Sequence, residues 1–172
     1  MSDLGKQVIR LAELPDIERI CSLSAEEYGG SLDDYRKSCE LEINENSNDG
    51  SLSKIFVVLR DNTIIALSRL FYYKSEKIPV DYESPLGFYF NGIIVDSKFR
   101  RQGVARALTK FRLELIEEMS GLQEAYSIVA SDNAASISYH ESLGFTEVRR
   151  AKGFLKVKLK CGEGILFRYA LT

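Results

Sequence analysis

Apolar residues along this chain switch repeatedly between a two-residue and a three- to four-residue spacing, the mark of alternating strands and helices. Gln7–Leu11 reads as a short strand. Over Asp16–Tyr28, Ile17, Ile20, Cys21 and Tyr28, with the small Ser24 among them, form one helical stripe that stops at Gly29-Gly30. Ser31 can cap a second helix, Leu32–Ile43, before the polar turn Asn44–Gly50. Ile55–Leu59 and Thr63–Tyr73 flank Asp61-Asn62 and predict a hairpin. Lys74–Pro85 holds Pro79 and Pro85 and reads as loop. Phe88–Val95 is apolar almost throughout, as a central strand covered on both faces is.

Gly103–Gly121 is the clearest helix, with Val104, Leu108, Phe111, Leu115 and Met119 at three- and four-residue steps and charges between them. Tyr126–Ala130 has the pattern of a buried strand. Ser131 to Asn133 offer side-chain caps for a short helix, Ala134–Leu143, that ends at Gly144. Thr146–Arg149, Phe154–Lys160 and Ile165–Leu171 give a strand-rich end, with Cys161-Gly162-Glu163-Gly164 as a hairpin turn. No repeat or linker interrupts this succession, so one α/β domain over residues 1–172 is expected.

Composition narrows the class. With 172 residues, 45% hydrophobic and 28% charged, the chain can bury a core of its own. No run of about 18 apolar residues is present, and the opening MSDLGKQVIR lacks the apolar stretch of a signal peptide. The cysteines, Cys21, Cys39 and Cys161, are odd in number and scattered, which fits a reducing cytoplasm better than a disulfide framework. A net charge of −2 and a pI near 5.6 give no case for nucleic acid. The charge is uneven, however: residues 1–50 sum to −7 and residues 95–172 to +4. Such a division suits an acidic side that draws a cationic substrate and a basic side that holds an anion, although two solvated faces would look the same.

The basic residues have a local focus. Phe99-Arg100-Arg101-Gln102-Gly103-Val104-Ala105 lies between an apolar strand and an amphipathic helix. A helix start has unpaired N–H groups and the positive end of the dipole, a seat for phosphate. Gly103 and Ala105 keep side-chain bulk away from that seat, while Arg100, Arg101 and Arg106 surround it with cations. Neither G-x-x-x-x-G-K-[ST] nor G-x-G-x-x-G occurs, so the turn is not a P-loop or a dinucleotide fingerprint.

The turn resembles motif A of the GNAT superfamily of acetyl-CoA-dependent N-acetyltransferases, [QR]-x-x-G-x-[GA], on Arg100, Gly103 and Ala105. Ile93-Ile94-Val95 is similar to the family strand whose backbone pairs with pantetheine. Downstream, Asn133, Ser136, His140, Gly144 and Phe145 match a second family pattern, N-x-x-[AS]-x-x-x-[YH]-x-x-x-G-F. The resemblance implies a mixed, twisted sheet of six or seven strands with helices on both faces. Its fourth and fifth strands would splay apart around acetyl-CoA, with the pyrophosphate on the turn at residues 100–105, Arg106 beside it, and Asn133 and Ser136 near the pantetheine arm. It implies transfer of an acetyl group to a primary amine, with no nucleic-acid or membrane partner, and leaves a homodimer open.

The second pattern also carries the candidate chemistry. Asn133 and His140 are seven residues apart, about 700° of helical rotation, so they align within about 20°. Tyr139 points well away from that stripe. In the family, the position of His140 is most often a tyrosine that protonates the departing thiolate. Here histidine stands there, in a string A-S-I-x-x-H-x-x-L-G-F that resembles phosphinothricin acetyltransferases. His140 can supply the proton, or it can be a packed helix residue with Tyr139 as the acid.

A general base is not legible. The strand Phe88-Tyr89-Phe90-Asn91-Gly92 contains no acid, and Glu26, Glu27, Asp33, Asp34 and Glu83 read as solvated charges. A single histidine among scattered thiols does not make a zinc site. The alternation of Lys152, Lys156, Lys158 and Lys160 reads as the wet face of a hairpin. A small-molecule amine is the first acceptor to expect. A protein N-terminus or lysine, and a non-catalytic CoA-binding sensor, are the rivals.

Overall fold

The chain alternates strands and helices as β1 (Gln7–Leu11), α1 (Ile17–Tyr28), α2 (Leu32–Asn46), β2 (Ser53–Arg60), β3 (Thr63–Tyr73), β4 (Gly87–Val95) and α3 (Val104–Ser120). There follow β5 (Glu124–Ala130), α4 (Ala134–Ser142), β6 (Thr146–Ala151), β7 (Gly153–Phe154), β8 (Val157–Lys158) and β9 (Gly164–Ala170). This computed structural model describes residues 7–46, 53–74, 84–120, 124–155 and 157–171. Seven strands form one sheet in the order β1-β2-β3-β4-β5-β9-β6, while β7 and β8 pair separately. The chain divides into two compact units, Met1–Leu70 with Gly92–Arg112 and Phe71–Asn91 with Leu113–Thr172.

In the first unit the apolar stripe of α1 does what its spacing predicts. Ile17, Ile20, Cys21 and Leu23 bury against Cys39 and Ile43 of α2 and against Ile55, Val57, Ile64, Leu67 and Ile94 of β2, β3 and β4. Each such side chain contributes roughly 1.5–3 kcal/mol by leaving water. β1 runs antiparallel to β2 from Gln7↔Arg60 to Leu11↔Phe56. The hairpin predicted at Asp61-Asn62 is present, with both residues left-handed (φ 50° and 61°), the backbone of a two-residue turn that matches strand twist. Cys21 and Cys39 are buried and Cys161 is exposed, all three as free thiols. Burial raises both inner thiols, Cys39 to about 11.

Aromatic rings dominate the second unit. Tyr89 stacks between Phe71 (5.5 Å) and Tyr126 (5.3 Å), and Phe154 and Leu166 complete the cluster. The Tyr89 hydroxyl donates to the Pro85 carbonyl at 2.8 Å, so the buried phenol is satisfied. β5 pairs antiparallel with β9 from Glu124↔Ala170 to Ala130↔Gly164. β4 and β5 are parallel, with a register of Phe88↔Ala125, Tyr89↔Tyr126 and Phe90↔Ser127, although both strands continue further.

Two expectations need correction. Phe154–Lys160 is not one strand: Leu155 is left-handed (φ 51°), and it turns Gly153–Phe154 back onto Val157–Lys158. Lys152, Lys158 and Lys160 are exposed on this piece, and Lys156 lies outside the described residues. α2 runs three residues beyond Ile43, because no glycine or proline before Gly50 stops it. The rest of the predicted turn, 47–50, and residues 75–83 of the predicted loop, with Glu83, lie outside the described residues.

The entry to α1 rests on one carboxylate. Buried Asp16 accepts from Arg10 Nη1 (2.6 Å), Arg10 Nη2 (3.0 Å) and the Glu13 N–H (2.8 Å). Burial opposes its charge, but these bonds outweigh burial and hold the carboxyl below its ordinary range. A lowered folded pKa gives stability that is present above the unfolded value, about 4, and is lost as pH falls through the folded one. Asp16→Asn is therefore expected to lower unfolding free energy by about 1–3 kcal/mol at pH 7. In urea titrations at stepped pH the gap to wild type should close in acid; a gap constant with pH would trace the loss to geometry and not to charge.

Candidate active site

The basic turn begins from a fixed point. Asp96 follows the last residue of β4; its N–H donates to the Ile65 carbonyl at 2.9 Å. Its carboxylate accepts the Lys98 N–H at 3.0 Å and is bridged by Arg19 of α1, whose Nε also reaches the Ile64 carbonyl at 3.3 Å. Helix, both strands and the start of the turn thus meet on one acid.

Beyond it the backbone takes two left-handed residues, Arg101 (φ 58°) and Gly103 (φ 80°). Such residues let successive N–H groups converge on one side of a turn and make an anion-binding concavity. Gly103 accepts the Ala107 N–H at 3.0 Å and so opens α3, where the N–H groups of Val104 and Ala105 have no acceptor within the helix. A Cβ at Gly103 would meet nothing within 4 Å, so space is open in front of the turn. Arg101, Gln102 and Arg106 are exposed; Val104 and Ile94 are buried, so only their backbone can face a ligand. Ile93 and Val95 are half-buried.

Two side chains in the turn have protein partners that the sequence did not reveal. Gln102 Nε2 donates to the Lys98 carbonyl (3.0 Å) while its Oε1 accepts from Arg60 Nη1 (2.8 Å), and that guanidinium lies 5.1 Å from the Phe99 ring centroid. Arg100 donates through Nε to the Val95 carbonyl (3.0 Å) and through Nη2 to Glu27 Oε2 (2.6 Å). Within the same unit, Gly92 of β4 is exposed and left-handed (φ 51°), and a Cβ there would come 3.2 Å from the Tyr28 hydroxyl. A glycine inside an apolar strand signals a bend or a close approach; that signal was present in the sequence at Gly92. Of the other acids, Glu26 accepts from Ser22 Oγ at 2.8 Å and pairs with Arg19, and Asp33 and Asp34 are exposed.

In the second unit, α4 brings together the residues its helical wheel predicted. Asn133 caps the helix, its Oδ1 accepting the Ser136 N–H at 3.0 Å, and its amide N–H groups remain as donors. His140 Nδ1 lies 2.7 Å from the Ser136 carbonyl and 3.4 Å from Ser136 Oγ. A carbonyl only accepts, so Nδ1 carries the hydrogen. The ring stacks on Phe167 (5.6 Å, 20°) and meets the edges of Phe145 and Tyr139, which fixes its plane. Tyr139 is half-buried beside it. No group of three or more His, Cys, Asp or Glu among the described residues could hold a metal ion.

Asp96 gives the basic turn a measurable dependence. Asp96→Ala removes a carboxylate with 12% of its side chain exposed and leaves Arg19 with only its longer contacts to Glu26 and the Ile64 carbonyl, so a loss of about 1–3 kcal/mol in denaturant unfolding is expected. Asp96→Asn keeps an oxygen for the Lys98 N–H and should lose less. Equal losses in the two variants would show that the ion pair alone matters.

The family model described as "Acetyltransferase (GNAT) family" matches residues 17–145, which contain the turn and all of α4. No curated protein matches the chain by sequence. Among solved structures, a chimera of the Vibrio cholerae spermidine N-acetyltransferase SpeG and hSSAT is 20% identical with a TM-score of 0.70, covering 97% of this chain and 96% of its own. The Escherichia coli ribosomal-protein-S18-alanine N-acetyltransferase is 21% identical at TM-score 0.65, covering 97% and 95%. A structure of yncA from Salmonella typhimurium with its cofactor acetyl-CoA is 17% identical at TM-score 0.67, covering 96% and 94%. At these identities the likeness is one of fold.

Proposed function

This chain belongs to the GNAT acetyltransferase family, and on that premise we propose that it moves the acetyl group of acetyl-CoA to a primary amine of a small molecule. The observation that carries the cofactor assignment is the left-handed turn at Arg101–Gly103, opening onto the start of α3 with empty space in front of Gly103. That cradle fits a pyrophosphate, held by backbone N–H groups of residues 101–105 with Arg101 and Arg106 as nearby cations. The backbone of Ile93–Val95 would pair with the pantetheine arm, and the Asn133 amide and Ser136 would contact the same arm. The yncA structure, similar in fold, contains acetyl-CoA.

The chemistry follows directly. The neutral amine attacks the thioester carbon; the C–N bond forms, the C–S bond breaks, and backbone N–H groups around Val95 polarise the carbonyl oxygen. The amine sheds a proton and the leaving thiolate gains one. His140 is suited to supply it, because its bond to the Ser136 carbonyl sets the plane of a ring whose protonated form is a proton donor. Its string resembles the second motif of phosphinothricin acetyltransferases, whose acceptors are small. The −7 balance of residues 1–50 favours a cationic acceptor. All 172 residues would work as one N-acetyltransferase domain in the cytoplasm.

Thiol release from acetyl-CoA over spermidine, lysine and an alanine-first peptide tests the function. Release that is faster with the small amines supports the reading, a peptide preference moves the acceptor to protein, and silence on the whole panel overturns it. By calorimetry, Gly103→Glu should lower acetyl-CoA affinity by about tenfold or more, since bulk and negative charge would meet the pyrophosphate; unchanged affinity in the folded variant would remove the turn from the site. His140→Ala should reduce kcat by about 10²–10⁴-fold with acetyl-CoA affinity little changed. A variant with near-wild-type kcat at every pH would pass the proton role to Tyr139 or water.

A further inference from the structure

Arg100 heads the basic turn, yet two of its donors are already engaged, one by the Val95 carbonyl at the end of β4 and one by Glu27 of α1. A phosphate approaching that guanidinium would approach the Glu27 carboxylate as well, and the two anions repel. The bonds make better sense as a tie: they fasten the last turn of α1 to the end of β4. The next residue, Tyr28, comes close to the same strand: a Cβ on Gly92 would stand 3.2 Å from its hydroxyl. Consecutive residues at the end of α1 therefore stand beside β4, Glu27 bridged to Val95 through Arg100 and Tyr28 close to Gly92, at either end of the Ile93–Val95 stretch assigned to acetyl-CoA.

This stretch is open. Asn91 and Gly92 are exposed although β4 is the fourth of seven strands, a position normally covered on both faces. Glu27 meets Arg100 through Oε2, which leaves Oε1 to accept a further hydrogen bond, and both Glu27 and Tyr28 are exposed. Partial desolvation where Tyr28 approaches β4, reinforced by the Glu27 charge, raises its pKa and keeps it a neutral O–H whose oxygen can accept. Two oxygen acceptors, one of them charged, suit an ammonium group.

We propose that Arg100 serves the acceptor side of the reaction: it positions Glu27, and Glu27 with Tyr28 receives the ammonium group of the acceptor amine. The assignment rests on the acetyltransferase reading above. It separates the arginines of the turn by role, with Arg101 and Arg106 left to the phosphates and Arg100 acting through Glu27.

Steady-state kinetics and calorimetry on the full chain distinguish these roles, using whichever of spermidine, lysine and the alanine-first peptide the wild type acetylates fastest. Glu27→Gln is expected to raise KM for that amine about tenfold or more, the worth of a hydrogen bond to a charged group, with acetyl-CoA Kd within about threefold of wild type. Tyr28→Phe should raise the same KM less. Arg100→Ala should behave as Glu27→Gln does, and Arg100→Lys, which keeps a cation beside Glu27, should recover part of the loss. If Arg100→Ala fails to fold, Arg100→Lys and Glu27→Gln carry the comparison. An acetyl-CoA affinity lowered tenfold or more in an Arg100 variant, or an acceptor KM unmoved in Glu27→Gln, overturns the proposal while the function stands. Silence of the wild type on every amine overturns the function, and this inference with it.

Discussion

The ion pair of Arg19 and Asp96 is the junction on which the first unit's chemistry depends. One guanidinium links α1 to the Ile64 carbonyl of β3 and to the carboxylate that ends β4, and the same carboxylate caps the residues leading into the turn. An apolar pair in its place would pack without directing the chain. The carboxylate sets where the turn begins, and the turn's two left-handed residues then set where its N–H groups converge. Arg100 reaches back from that turn to Val95 and Glu27, so α1 is tied to the end of β4 in two places, through Arg19 near its start and through Glu27 near its end.

Periodicity was sufficient wherever one face of an element is buried and the other wet. β1 and β3 have the bounds their patterns predict, and the Asp61-Asn62 turn has the expected left-handed pair. The pattern failed over Phe154–Lys160, where the alternation of apolar and lysine residues continues through a reversal. Nothing in a hydrophobic pattern records the sign of φ at a leucine, and Leu155 is the residue that turns. α2 was read short for a related reason: polar composition at Asn44–Asn46 looks like loop, but with no breaker present the helix simply continues.

The candidate site divides along the same line. Asn133, Ser136 and His140 share one short helix, so a helical wheel brought them together correctly, and the structure adds the bonds that fix the Asn133 cap and the His140 tautomer. The motif located the turn, but the bond from Arg100 to Glu27, 73 residues away in the chain, was not legible in it. Tyr28 was read as the apolar end of a helical stripe, whereas its hydroxyl lies where a Cβ on Gly92 of β4 would come within 3.2 Å. Contacts of this kind join exposed polar residues from distant elements, and neither spacing nor composition constrains them.

The three thiols have a use for whoever next works with this protein. Cys21 and Cys39 are sealed in the core between α1 and α2, where burial also suppresses their thiolates, while Cys161 lies exposed in the turn ahead of β9. The native chain therefore offers a maleimide one address. A fluorophore or spin label can be attached at Cys161 without removing a cysteine, and reporter experiments on the second unit can begin from the unaltered sequence.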